Sequence, residues 1–183
     1  MFLFGKEKNL IKEGDIIIRH ATPKDARGIL ELLKSIAEEK IYVLTEFVNI
    51  TEEEEKNYLK NINPDKELVL VVEYNAKIVG ILTLVPYRKS LSPKVQHVGE
   101  LGISIHRDFR GRGIGQKLME YSKVWAQKNG YEKICLSVFS SNERAINLYK
   151  KCGFVEEGRR ICQFKIEKNY VDEILMGFFI EKG

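Results

Sequence analysis

Three glycines alternate with other residues in the segment Arg110-Gly111-Arg112-Gly113-Ile114-Gly115-Gln116. The segment follows a strand-like run, Val98 to Ile105, and precedes a helix-like run, Lys117 to Gln127. The first turn of a helix has backbone N–H groups without intrahelical partners, and the helix dipole favours negative charge there. Glycine lets an anion approach the backbone closely. The segment therefore predicts a binding site for a phosphate or pyrophosphate, with two arginines adding positive charge.

The spacing of these glycines excludes two common phosphate-binding loops. The dinucleotide fingerprint G-x-G-x-x-G is absent, because Gly111, Gly113 and Gly115 are spaced G-x-G-x-G. No Gly-Lys-Ser/Thr follows, so the segment is not a P-loop. A glycine-rich connection without a ligand remains as an alternative, although three alternating glycines lose backbone entropy on folding with no packing in return.

Length and composition indicate one globular domain. The chain has 183 residues, of which 44% are hydrophobic and 31% charged, and its formal net charge is +4. This charge gives no reason to expect nucleic acid as a partner. No run has the length of a membrane span or the form of a signal peptide, so we expect a cytoplasmic protein with no membrane partner. The three cysteines form no CxxC pair, and we expect no metal site.

The hydrophobic pattern predicts the element order βα(α)βββαβαββ from residue 15 to the end of the chain. Helical spacing follows Thr22-Pro23, and again follows Thr51, each of which suits a helix start. Residues 1–14 show no clean period, and we expect them to form an N-terminal extension, either a loose arm or an extra edge element. Residues 15–183 are then one domain of mixed α/β class.

Two blocks of the chain resemble the GNAT superfamily of N-acetyltransferases. The run Arg110 to Gly115 matches the family signature Q/R-x-x-G-x-G/A. The run Asn142 to Phe154 is similar to the family element N-x-x-A-x-x-L-Y-x-x-x-G-F. Together with Ile18 to Ala26, these blocks extend the similarity over about residues 16–180. The end of the chain is reminiscent of a bacterial and archaeal subgroup of uncharacterised acetyltransferase-like proteins.

The resemblance implies acetyl-CoA as the acyl donor, and it implies the GNAT fold. In that fold a mixed, mostly antiparallel central sheet is flanked by helices, and two parallel strands splay after a bulge to make room for CoA. Here those strands would be Val98 to Ile105 and Ile134 to Phe139, and glycine at 99 and 102 is consistent with a bulge. The pyrophosphate would bind the glycine segment, and the pantetheine arm would bond to the strand like an added strand. The expected cofactor-binding residues are Ile103, Ser104, Ile105, Arg110, Gly111, Arg112, Gly113, Ile114, Gly115, Gln116 and Asn142.

Two of the matched residues also have structural alternatives. Asn142 matches the asparagine that bonds the pantetheine arm, and it equally suits an N-cap of the following helix. Tyr149 matches the tyrosine that protonates the leaving CoA thiolate, and it equally suits the core face of a short helix. A phenol with a pKa of about 10 can protonate a thiolate whose thiol has a pKa of about 8.5 only with help from geometry.

The general base does not follow from the resemblance. Some ribosomal-protein acetyltransferases of the family have a glutamate five residues before the asparagine, and Ser137 occupies that position here. Glu100 is the candidate that the residues themselves indicate, because the period of two in a strand places it on the face of Gly102 and Ser104. The alternative role for Glu100 is a strand-edge salt bridge, and His97 is a weaker candidate base.

The expected acceptor is a primary amine, carried either by a small molecule or by a protein or peptide. Its site would form from Tyr42, Glu46 and Phe47 between the first two helices and from Tyr170 and Asp172 near the last hairpin. Acidic groups there suit a cationic amine. The resemblance leaves a homodimer open. A non-catalytic CoA-binding sensor or interaction module, and a nucleotide-binding protein, are the competing functions.

Overall fold

The computed structural model describes residues 10–39, 49–90 and 92–181. Within these ranges the chain forms one eight-stranded sheet and four α-helices. The strands are β1 (Ile11–Glu13), β2 (Ile16–His20), β3 (Leu68–Tyr74), β4 (Lys77–Pro86), β5 (Val98–Ile105), β6 (Lys133–Phe139), β7 (Val155–Ile166) and β8 (Asn169–Phe179). The helices are α1 (Ala26–Ala37), α2 (Glu52–Lys60), α3 (Ile114–Lys128) and α4 (Glu143–Lys151). None of these helices has the length and apolar character that crossing a bilayer requires.

The strand order in the sheet is β1-β2-β3-β4-β5-β6-β8-β7. Every neighbouring pair is antiparallel except β5 and β6, which run parallel. The predicted mixed, mostly antiparallel α/β fold is therefore confirmed. Residues Ile11–Glu13 form an edge strand against β2, and Lys117 of α3 makes an ion pair with Glu13. The division of the chain at residue 14 stays a prediction.

The sheet is covered by helices on both faces. Helices α1 and α2 pack on Val69, Val71 and Ile81, whereas α3 and α4 pack on a larger cluster that includes Leu70 and Leu82. Residues 68–72 are buried without interruption, because the central strand β3 faces a helix layer on each side.

Strands β5 and β6 diverge soon after they begin. They pair at Val98 with Lys133, at Gly99 with Ile134 and at Glu100 with Cys135, and no pair follows in the described residues. The implied bulge in β5 is not present, since β4 and β5 keep one register along the whole strand. Strand β6 likewise keeps one register with β8, so the two strands separate without an irregularity in either outer pairing. Gly99 is instead required by packing, because a Cβ at this position would lie 2.9 Å from Leu84 Cδ1.

Candidate functional site

A cavity of about 590 Å³ occupies the gap between the diverging strands. Residues 101–105 of β5 form one wall, and residues 137–139 of β6 form the other. The glycine segment and α4 lie around it, and Ile36 of α1 and Phe164 of β7 also line it. Because residues 101–105 pair with β4 on only one side, their backbone polar groups on the β6 side face the gap. The cavity therefore combines an open strand edge with a helix N-terminus.

The N-terminus of α3 lies at this cavity. Gly113 is the N-cap residue with φ +76°, and no side chain caps the helix. Gly111 also has a positive φ, +82°, and both glycines line the cavity together with Gly115 and Gln116. Uncapped N–H groups at a helix N-terminus attract anions. Of the predicted cofactor-binding residues in this segment, Arg112 and Ile114 do not line the cavity.

Gly115 has a packing role that differs from that of the other two glycines. A Cβ at residue 115 would lie 2.8 Å from Leu148 Cδ2, so glycine allows α3 and α4 to approach each other closely. This close approach places α4, with its polar residues, beside the glycine segment. One of the three alternating glycines thus does have a packing return, which the sequence alone did not reveal.

The side chain of Arg110 links the glycine segment to α1. Its Nε donates to the backbone oxygen of Ile105 at 2.8 Å, and its two Nη atoms contact the Glu39 carboxylate at 2.7 and 2.6 Å. The Arg110 and Glu39 side chains are only 18% and 13% exposed. Arg110 lines the cavity, but the structure places its guanidinium on a carboxylate rather than on an open anion site. Its predicted contact with the cofactor stays a prediction.

Two cations of α4 that the sequence analysis missed, Arg144 and Lys151, also line the cavity. The Arg144 guanidinium lies against the glycine segment, since a Cβ at Gly111 would be 2.8 Å from its Nη2 atom. Arg144, Leu148 and Lys151 follow one another at helical spacings of four and three residues, which place them on one face. This spacing could have indicated from the sequence that Arg144 and Lys151 share a face of α4. The sequence did not show that this face meets the cavity.

Asn142 has the capping role that was its structural alternative. Its Oδ1 accepts a hydrogen bond from the backbone N–H of Ala145 at 3.1 Å, which fixes the start of α4. The side chain also lines the cavity, and its amide nitrogen makes no hydrogen bond to the described residues. The cap therefore leaves the amide donor free for the predicted ligand contact.

Tyr149 is buried and lines the cavity. Its ring packs near Phe154 with a centroid distance of 6.2 Å, and its hydroxyl makes no hydrogen bond to a described residue. Burial raises the pKa of the phenol to about 12. The hydroxyl therefore remains protonated near neutral pH and is a weaker acid than a free phenol, so it can donate its proton to a thiolate only with help from geometry.

Glu100 lies exposed in β5, one residue before the part of the strand that lines the cavity. It shares a sheet face with Cys135, its partner in β6, and with Glu173 of β8. Glu173 pairs with Arg160 at 2.6 Å, whereas Glu100 makes no ion pair or side-chain hydrogen bond to the described residues. The alternative role of Glu100, a strand-edge salt bridge, is thus not found within the described residues. His97, the weaker candidate, precedes β5 and does not line the cavity.

Cys135 lies beside Glu100 on this face. Burial, together with the negative charges of Glu100 and Glu157, raises the pKa of its thiol to about 11. Glu157 itself is paired with Lys133 at 2.6 Å. A thiol with such a pKa is protonated near neutral pH and is a poor nucleophile.

Of the residues expected to form the acceptor site, the structure describes only Tyr170 and Asp172. Tyr42, Glu46 and Phe47 lie outside the described residues. Tyr170 is 65% exposed, and Asp172 accepts a hydrogen bond from the backbone N–H of Cys162 in the neighbouring strand. Neither of these two residues lines the cavity.

Residues 31–154 match the model of the acetyltransferase (GNAT) family. The spermidine N(1)-acetyltransferase of Vibrio cholerae is 31% identical over 126 residues, which are 66% of this chain and 68% of that protein. The L-amino acid N-acetyltransferase AaaT of Escherichia coli is 29% identical over 149 residues, which are 79% of this chain and 85% of that protein. The crystal structure of a GNAT-family acetyltransferase from Streptococcus pneumoniae is 31% identical, with a TM-score of 0.83, and the match covers 91% of this chain and 99% of that one.

Proposed function

The chain belongs to the GNAT acetyltransferase family, and on this basis we propose that it transfers an acetyl group from acetyl-CoA to a primary amine by direct attack in a ternary complex. The observation that carries the proposal is the cavity between β5 and β6. It combines an uncapped helix N-terminus with the buried hydroxyl of Tyr149, which makes no hydrogen bond to a described residue. These features suit the binding of a phosphate-bearing thioester and the release of its thiol.

The residues present fit acetyl-CoA in two respects. The N–H groups at the start of α3 have no side-chain cap, so a pyrophosphate can bind there without displacing a protein group. Residues 101–104 have no strand partner on the β6 side, and the amides of the pantetheine arm can bond their backbone groups as an added strand would. Both sets of groups line one continuous cavity.

The reacting end of the donor belongs near the closed end of the gap. The glycine segment follows the end of β5 at Ile105, and the strands meet at the pair of Glu100 with Cys135. At about 3.3 Å per residue, these two ends are separated by about 17 Å. A donor with its pyrophosphate at the glycine segment extends along this distance, which brings its thioester toward Glu100.

Glu100 and Tyr149 supply the two proton transfers. The carboxylate of Glu100 accepts a proton from the acceptor ammonium, directly or through water, which frees the amine lone pair. The amine nitrogen bonds to the thioester carbonyl carbon, and backbone N–H groups of β5 that face the gap near its closed end polarise that carbonyl. The C–S bond then breaks, and the Tyr149 hydroxyl protonates the departing thiolate. The products are an amide and free CoA.

Direct transfer is favoured over an acyl-enzyme route by the state of the cysteines near the cavity. Cys135 has a thiol pKa of about 11, and burial raises the pKa of the Cys152 thiol as well. A covalent route would need a thiolate nucleophile, and both groups are held as thiols near neutral pH.

The acceptor that we propose is a small-molecule amine. Two relatives support this choice, one named for spermidine and one for L-amino acids, and the matches cover 68% and 85% of their lengths. The test supplies acetyl-CoA with spermidine, a set of L-amino acids or a peptide with a free N-terminus, and it follows release of the CoA thiol. Acceptor-dependent release of CoA is expected. Binding of CoA without release under any acceptor would instead support a non-catalytic CoA-binding module, and thermal stabilisation by ATP or NAD but not by CoA would support a nucleotide-binding protein.

A further inference from the structure

Two arginines lie at the phosphate end of the cavity, and their surroundings differ. Arg110 belongs to the family signature, and its guanidinium is bound to Glu39 and to the backbone oxygen of Ile105. Arg144 belongs to α4, and its side chain is exposed and makes no ion pair or hydrogen bond to the described residues. The signature arginine is therefore the one whose charge is already compensated within the protein.

The position of Arg144 is fixed by two neighbours. Asn142 caps α4 two residues before Arg144, and the close packing of Gly115 on Leu148 brings α4 against the start of α3. The guanidinium thereby reaches the backbone of Gly111, where any Cβ would be only 2.8 Å from Nη2. An arginine so placed faces the same space as the uncapped N–H groups of α3, and its planar donor set is suited to phosphate oxygens.

We propose that Arg144 is the side chain that neutralises the phosphate groups of the acyl donor, and that Arg110 is a positioning residue that acts through Glu39. The bidentate pair of Arg110 and Glu39 joins the glycine segment to the end of α1, across 71 residues of sequence. It thereby holds the backbone N–H groups of the segment in place. This assignment rests on the proposed function, since it requires CoA as the ligand.

Calorimetric titration of the full chain with CoA and with pantetheine, which lacks the phosphates, tests the role of Arg144. Arg144→Gln is expected to raise the Kd for CoA by about tenfold or more, as for a lost charge-assisted hydrogen bond, and to leave the Kd for pantetheine unchanged. The matched control is Arg107→Gln, because Arg107 is 72% exposed nearby and does not line the cavity. The control is expected to bind CoA like the wild type.

The role of Arg110 is tested by the salt dependence of the same titrations. Loss of a phosphate contact weakens the salt dependence of CoA binding, whereas loss of a positioning contact raises Kd without changing that dependence. Arg144→Gln is expected to show the first pattern, and Arg110→Gln the second. Glu39→Gln is expected to weaken CoA binding as Arg110→Gln does, and the double variant to be no worse than either single variant. Thermal melts identify any variant that fails to fold.

The outcomes separate this proposal from the proposed function. If the wild type does not bind CoA, the proposed function fails. If the wild type binds CoA and Arg144→Gln binds it equally well, the role of Arg144 is overturned while the function stands. If Glu39→Gln binds CoA as tightly as the wild type or more tightly, Arg110 does not act through Glu39.

Discussion

Glu100 of β5 and Cys135 of β6 form the last residue pair between the two parallel strands, and the cavity opens directly beyond them. The pair thus marks the closed end of the gap, with a carboxylate and a thiol side by side on one face of the sheet. The carboxylate is without an ion-pair partner in the described residues, and the thiol has a pKa of about 11. The carboxylate is suited to accept a proton, whereas the thiol is poorly suited to act as a nucleophile. A separate prediction follows for each residue.

Replacement of Glu100 by Gln is expected to lower kcat/KM for the amine by about 100-fold, because the amide cannot accept the ammonium proton. The loss should diminish at high pH, where more of the amine is already deprotonated. Steady-state rates between pH 6 and pH 10 provide the measurement. The control is Glu53→Gln, which removes an exposed carboxylate from the first turn of α2. Equal losses at all pH values would argue against a role as base.

Replacement of Cys135 by Ala is expected to change turnover by less than about twofold, because direct transfer uses no thiol nucleophile. Mass spectrometry of the wild type incubated with acetyl-CoA alone should detect no acetylated cysteine. An acetyl adduct that forms and then disappears on addition of amine would contradict direct transfer. The melting temperature of the variant serves as the control, since Cys135 is partly buried.

Replacement of Tyr149 by Phe is expected to lower kcat by about 10- to 100-fold while leaving the Kd for CoA nearly unchanged, since only the transferred proton is removed. The raised pKa of about 12 means that the phenol is protonated at every pH below that value. The wild-type rate should therefore show no alkaline decline from Tyr149 up to about pH 10. A decline centred well below pH 10 that is absent in Tyr149→Phe would contradict the raised pKa.

Replacement of Gly115 by Ala is expected to destabilise the protein by about 1–3 kcal/mol, because the new Cβ would lie 2.8 Å from Leu148 Cδ2 in a packed interface. The combination with Leu148→Ala should recover part of this loss, since the contact is removed. Urea denaturation measures both. Gly113→Ala is the comparison, because a Cβ there has nothing within 4 Å but must adopt φ +76°. No recovery in the double variant would show that packing is not the cause.

The elements of this fold were predictable from sequence because each depends on local pattern. The glycine segment begins α3 and the capped run after Asn142 begins α4, as their spacing indicates. The open edge of β5 beyond Glu100 was also expected, because the resemblance to the GNAT family implies that β5 and β6 separate. The absence of a bulge in β5 was not predictable, because Gly99 serves the packing of Leu84 rather than a local irregularity.

The sequence by itself determined the family, the order of the elements from residue 15 onward and the position of the glycine segment at a helix start, because these follow from short-range spacing and from helix-end chemistry. Only the tertiary structure decided which arginine is available at that segment. Glu39 and Arg110 are 71 residues apart, and their ion pair exists because the residues after α1 and those after β5 lie side by side in the fold. Arg144 faces the cavity because Gly115 lets α4 approach α3. Charge compensation between distant side chains depends on how elements pack, and no local pattern encodes it.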